Sequence, residues 1–183
     1  IVDRSHPDGS HAQGPLTRVG ANLHDWEPPH DSYDLVFAFP PCTDLAVSGA
    51  RWFKSKGLRA LIDALDLVER CRDICSRTGN GWFIENPVST ISTYWRKPDF
   101  TFDPCDFGGY LSPPGDKYTK RTCLWVAGSF VMPEARRVDP VEGSRMHKYP
   151  PSEHRAQLRS ITPAGFAQAV FDYNTHRSPA TPK

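Results

Sequence analysis

Asp34 opens an unbroken apolar run, Leu35-Val36-Phe37-Ala38-Phe39, that is halted by Pro40-Pro41 and followed at once by Cys42. So short a run suits a strand covered on both faces, as in a parallel sheet. The two prolines fix φ and remove two backbone donors, so the strand must end there and the loop beyond it is stiff. Ligands of open α/β sheets sit beyond the carboxyl ends of the strands, which puts Cys42 where a reacting group belongs. Taken alone, the same residue reads first as an ordinary loop or core cysteine.

The rest of the chain fits a sheet with helices on its faces. Between Leu58 and Cys75 the apolar positions Leu58, Leu61, Ile62, Leu65, Val68, Cys71 and Cys75 recur every three or four residues. That spacing predicts an amphipathic helix, with Gly79 as its stop. Gly81-Trp82-Phe83-Ile84-Glu85 reads as a second short strand. Asp99–Asp103 and part of Thr122–Val126 alternate with period two. Thr162-Pro163 fits an N-cap and first turn, opening a helix through Phe171. Residues 4–22 are polar, carry Pro7, Gly9, Gly14, Pro15 and Gly20, and read as loop. Ile1-Val2-Asp3 reads as the end of a strand, so sequence is expected upstream.

At 183 residues the chain suits one domain, expected over 1–177 with 178–183 a disordered tail. No apolar run approaches the ~20 residues of a bilayer span, so no membrane partner is expected. The 18 prolines and 13 glycines forecast long shaped loops. Five cysteines, an odd number without a CxxC pair, make a poor disulfide framework and point to a reducing compartment. Residues 1–50 hold two arginines against seven acids, while the remainder is net positive. That asymmetry reads as a mixed neutral surface or as one face for a cationic or hydroxyl-bearing ligand and another for phosphate.

Ile84-Glu85-Asn86-Pro87 is the second chemical feature: an acid at a strand end, then a sharp turn. Alone it is an Asx-Pro turn with a solvated glutamate. A cysteine and a carboxylic acid, each ending a buried strand with a helix between them, can face one pocket. With that pairing the sequence resembles the cytosine-C5 DNA methyltransferase family, nearest to small methyltransferase-like proteins of bacteriophages. Pro40-Pro41-Cys42 followed by Asp44-Leu45-Ala46-Val47-Ser48-Gly49-Ala50-Arg51 is similar to the family's catalytic loop. Glu85-Asn86-Pro87 is similar to its Glu-Asn-Val, Lys120-Arg121-Thr122 to its basic strand motif, and Arg159-Ser160-Ile161-Thr162-Pro163 to its late Arg-x-Leu-Thr-Pro.

The resemblance implies a Rossmann-like S-adenosylmethionine-dependent methyltransferase fold that lacks its first strand in this chain. It implies methyl transfer to C5 of a cytosine in DNA, flipped out or single-stranded. Cys42 would add to C6 as thiolate, Glu85 would protonate N3, and Arg121 would stabilise charge near O2. Ser48, Arg51, Asn86, Lys120 and Thr162 would touch substrate. Asp3, Asp25 and Pro40 would touch the cofactor, S-adenosylmethionine, although no Phe-x-Gly-x-Gly occurs in the chain. Residues 124–158 would be a short recognition-like insertion, giving weak or short sequence preference. The setting implied is the cytoplasm of a prokaryotic or phage-infected cell. The same chemistry on RNA or a free nucleotide, and a non-catalytic DNA-binding protein that keeps the fold, remain open alternatives.

Two stretches mix aromatic with basic residues, Arg51-Trp52-Phe53 and Tyr94-Trp95-Arg96-Lys97. Each reads equally as a base-stacking surface or as core aromatics flanked by surface cations. Cys105, Cys123, His147 and His154 lack metal-ligand spacing and read as core cysteines and surface histidines, so no metal is expected.

Overall fold

A computed structural model describes residues 1–144 and 159–175. Its centre is a four-stranded sheet made of β3 (Tyr33–Ala38), β4 (Gly79–Pro87), β5 (Phe100–Phe102) and β6 (Thr122–Gly128) in the order β3-β4-β6-β5. A separate hairpin, β1 (Gly9–Gln13) with β2 (Leu16–Gly20), precedes it. Helix α1 (Phe53–Thr78) connects β3 to β4, the short α2 (Ile91–Tyr94) follows β4, and α3 (Ala164–Thr175) comes last.

The expected Rossmann-like, mainly parallel sheet is not what forms. β3 and β4 are parallel, with Leu35 opposite Gly81 and Ala38 opposite Ile84, but β4–β6 and β5–β6 are both antiparallel. The cause lies in the connections. A parallel return needs a crossover that carries the chain back along the sheet, usually a helix. α1 does this between β3 and β4. Residues 103–121 do not: they fold into 3-10 turns at Pro104–Asp106 and Gly108–Tyr110 and stay at one end, so β6 must run back against β5.

β4, rather than β3, is the strand buried on both faces. Trp82 and Ile84 pack with Val68, Cys71 and Cys75 of α1 in one core. Phe83 points the other way, into a core with Leu124, Phe166, Ala169 and Val170, so α3 covers the second face. β3 lies at the edge of this sheet and leaves Phe37 and Phe39 exposed. Period-two alternation on β4 thus supplies both cores.

Gly79 closes α1, its N–H donating to the Cys75 carbonyl, and begins β4 in extended conformation. A Cβ there would sit 2.8 Å from that carbonyl and 3.1 Å from the Val36 side chain, so the tight helix-to-strand exchange needs glycine. The N-terminus of α3 is satisfied from a distance, with the Gly165 N–H donating to the Asp116 carboxylate at 2.7 Å.

Residues 4–22, expected as loop, contain the β1–β2 hairpin, turned at Gly14 with φ +60. Residues 124–128, expected within the insertion, belong to β6. The insertion's Arg145, Lys148 and Tyr149, the histidines 147 and 154, and the 178–183 tail lie outside the described residues. Among the described residues no helix is long and apolar enough to cross a membrane.

Candidate active site

The parallel pair is what assembles the site. β3 and β4 leave the sheet in the same direction, so the loop after Ala38 and the end of β4 emerge side by side. Antiparallel β6 starts at that same end, with Thr122 opposite Pro87. Cys42, Glu85, Asn86, Lys120 and Arg121 therefore come to one end of the sheet from three strands.

The Cys42 loop is held down by backbone and side-chain bonds. Asn86, fully buried, donates from Nδ2 to the Pro40 carbonyl at 2.9 Å. The Cys42 carbonyl accepts from the N–H groups of Leu45 and Ala46, Val47 donates to Val88, and Thr90 donates to Leu45. Lys56 staples the far side, donating from Nζ to the Thr43 carbonyl at 2.8 Å and to Asp44 Oδ1 at 2.6 Å. Beneath the loop, Asn86 Oδ1, Ser89 Oγ and Thr90 Oγ1 are buried without a partner among the described residues. A buried acceptor left unsatisfied carries a desolvation cost, and these three polar atoms bear it beside the packed Leu45 and Ile91.

The electrostatics link Cys42 to Glu85. Burial pushes the Cys42 thiol above its ordinary value and the charge of Glu85 pushes it further, while Lys120 and then Arg159 pull it part of the way back. Burial likewise raises the Glu85 carboxyl, with Lys120 opposing. An ionised Glu85 therefore disfavours the Cys42 thiolate. Lys120 acts on both groups.

The remaining expected residues are distributed more widely. Arg121 is exposed, lies 3.7 Å from Asp103, and its charge is felt by Cys123 rather than by Cys42. Ser48 and Arg51 are exposed on the 3-10 turn Val47–Trp52 beyond the loop. Thr162 is half-buried just before α3, and Pro40 is buried under the Cys42 loop. Arg159, quoted in the sequence only as part of a late motif with no role of its own, is brought within electrostatic reach of Cys42. Cys105 and Cys123 are buried.

Asp3 and Asp25 are both exposed and engaged locally. Asp3 accepts the Ser5 N–H at 2.7 Å, which lowers its pKa, and Asp25 accepts from Asn22 Nδ2 at 2.9 Å. The segment that carries Asp25 is clamped by Arg70, which donates to the carbonyls of Leu23 and Trp26 and to Glu27. Neither aspartate lines the two clefts beside α1. Asp3 and Asp25 thus bond within their own turns, while Pro40, the third residue assigned to S-adenosylmethionine, is tied to Asn86. The chain matches no protein-family model and no curated protein.

Proposed function

We propose that the chain activates a cytosine of DNA at C5, through addition of the Cys42 thiolate to C6. C5 of cytosine is a poor nucleophile. Addition of sulfur at C6 breaks the C5–C6 π bond and leaves an electron-rich enamine at C5. The negative charge that develops on N3 is met by the Glu85 proton. The cation suited to the developing charge at O2 is Lys120, which faces the pair, in the place the resemblance gave to Arg121. The resting pair, thiol and carboxylate, differs from the active pair, thiolate and carboxylic acid, by relocation of one proton. Glu85 delivers that proton to N3 as sulfur attacks. The enamine takes up a hydron from water at C5; the original C5 hydron then leaves to water, Cys42 is eliminated from C6 and the N3 proton returns to Glu85, which restores the aromatic ring and the enzyme.

The observation that carries this reading is the juxtaposition of Cys42 and Glu85 at one end of the parallel pair, both raised by burial and Cys42 also by the Glu85 charge, with Lys120 acting on both. The methyl donor implied by the motifs, S-adenosylmethionine, would supply an electrophilic methyl group. The chain's own residues account for activation of the base and not for delivery of that group.

A donor-independent reaction tests this. Reversible addition at C6 exchanges the C5 hydron with water, so an oligodeoxynucleotide carrying [5-³H]cytosine should release tritium in the presence of the protein. Cys42→Ser should abolish the release. Exchange that survives Cys42→Ser, or no exchange by the parent protein, overturns the proposal. In the latter case, DNA binding without exchange would favour a non-catalytic DNA-binding protein.

A further inference from the structure

Of the two aromatic–basic stretches, one is used internally. Trp95 stacks on Trp125 with centroids 6.2 Å apart, and Trp125 Nε1 donates to the Arg96 carbonyl at 2.7 Å. Arg96 lies over Trp95 but donates to Asp99 at 2.6 Å and to the Val126 carbonyl at 3.1 Å. Trp95 and Arg96 thus serve the sheet edge, while Tyr94 is exposed beside the cleft along α1.

The other stretch is turned outward. The 3-10 turn Val47–Trp52 buries none of its residues, and Trp52 at its end is 54% exposed. The Arg51 guanidinium lies 5.0 Å from the Trp52 ring centroid. Among the described residues neither Arg51 nor Lys54 makes an ion pair, whereas Lys56 is neutralised by Asp44. Gly57, at φ +77, breaks the helical path where only glycine is at ease. The Lys56 staple closes residues 43–56 into a loop after Cys42, with Leu45 and Ala46 buried at its base and residues 47–56 as its outward projection. An open cleft of about 350 Å³ runs along it, lined by Asp44, Phe53, Lys54, Lys56, Gly57 and Leu58.

We infer that Arg51 and Trp52 form a stacking platform for an unpaired base of single-stranded DNA next to the target cytosine, with Lys54 placed for the adjoining phosphate. The inference rests on the proposed cytosine chemistry and specifies its substrate. Among the described residues, this large exposed indole carrying a guanidinium has no internal task. Unpaired nucleotides present what such a pair recognises: a flat π face and a negative backbone. The excess cation on the projection supplies charge complementarity to that strand. In a duplex the base faces are covered by their neighbours, which is why an unpaired strand is the occupant.

The test is binding of a fluorescein-labelled single-stranded oligodeoxynucleotide with one central cytosine, followed by anisotropy. Trp52→Ala should weaken binding about tenfold or more, the scale of one lost base–aromatic stack, and Trp52→Phe should restore most of it. An abasic site beside the cytosine should cost the parent protein a similar factor and cost Trp52→Ala little more. Unchanged affinity in Trp52→Ala overturns the platform. So do losses that multiply when variant and abasic site are combined, or an equal Trp52→Ala loss on the duplex form. Trp52 is exposed, and a far-ultraviolet circular dichroism spectrum unchanged from the parent shows that the variant is folded. Tritium release by the parent protein separates the two ideas: absent release with the Trp52 losses intact removes the chemistry and leaves the platform.

Discussion

Cys42 and Cys75 are both raised thiols in one small domain, yet they sit in opposite surroundings. Cys75 is fully buried on α1 among apolar side chains, and burial pushes it up to about 12, with nearby Cys71 at about 11. No cation beside Cys75 offsets the burial. Cys42 is only partly buried and is contested, pushed up by burial and Glu85 and pulled down by Lys120 and Arg159. Burial alone makes an inert structural thiol. What sets Cys42 apart is that its ionisation is tied to a carboxylate and to two cations, where Cys75 has only another thiol, Cys71, beside it. A ligand that neutralised Glu85 would change the Cys42 thiol, whereas the group beside Cys75 is a second buried thiol.

The sharpest way to break that comparison is Glu85→Gln. The amide keeps the shape of the side chain and removes the transferable proton. General acid catalysis is typically worth ~10²–10⁴ in rate, so C5 hydron exchange should fall by about that factor while oligonucleotide affinity changes little. Near-normal exchange would make Glu85 a turn residue that merely perturbs its neighbour. The distinction between the two cysteines would then rest on exposure alone.

The reverse experiment is on the inert thiol. Cys75→Ser puts a hydroxyl into the core formed with Val68, Trp82 and Ile84. Burying a hydroxyl without full compensation costs about 1–3 kcal/mol in proteins, and a helical serine can recover part of it by bonding to the carbonyl four residues back. A lower denaturant midpoint at unchanged slope is therefore expected, with exchange per folded molecule intact. Cys42→Ser should show the opposite pair of results. If both variants lose stability alike, the Cys42 loop is core and not site.

The frame of this site was legible in the sequence where periodicity carries information. The apolar run into Pro40-Pro41, the three-four spacing of α1 and the strand through Ile84 placed Cys42 and Glu85 one crossover apart, and the structure has that crossover. The direction of β6 was not legible, because it depends on residues 103–121 staying at one end of the sheet, which no hydrophobic pattern records. β1 was missed because all five of its residues are exposed, so no alternation marks it. That the charge of Lys120, and not of Arg121, acts on Cys42 was out of reach for a simpler reason. Consecutive residues of an extended chain point to opposite sides, and which side meets Cys42 is decided only when β6 docks on β4. Phe37 and Phe39 mislead in the same way, since an apolar run does not say whether its strand lies at the centre or at the edge.

The smallest effect, and the most specific, is the position of the Cys42 alkylation curve on the pH axis. Lys120 favours the charged form of both Cys42 and Glu85. Lys120→Met removes that help, so the thiol should titrate at higher pH than in the parent protein. Glu85→Gln removes a negative neighbour, so the thiol should titrate at lower pH. The two variants must move the curve in opposite directions, read as iodoacetamide modification of Cys42 by mass spectrometry, while Cys71 and Cys75 stay unmodified in the folded chain. Stability follows the same signs. Because the Glu85 carboxyl is raised in the folded state, its contribution is fully present below the ordinary carboxylate range and is lost as pH rises through the folded value. Glu85→Gln should therefore be more stable than the parent at neutral pH, with the advantage vanishing in acid, and Lys120→Met should be less stable at neutral pH. Curves that shift together, or not at all, would mean that the charges around Cys42 are screened by solvent and do not separate it from the buried thiols.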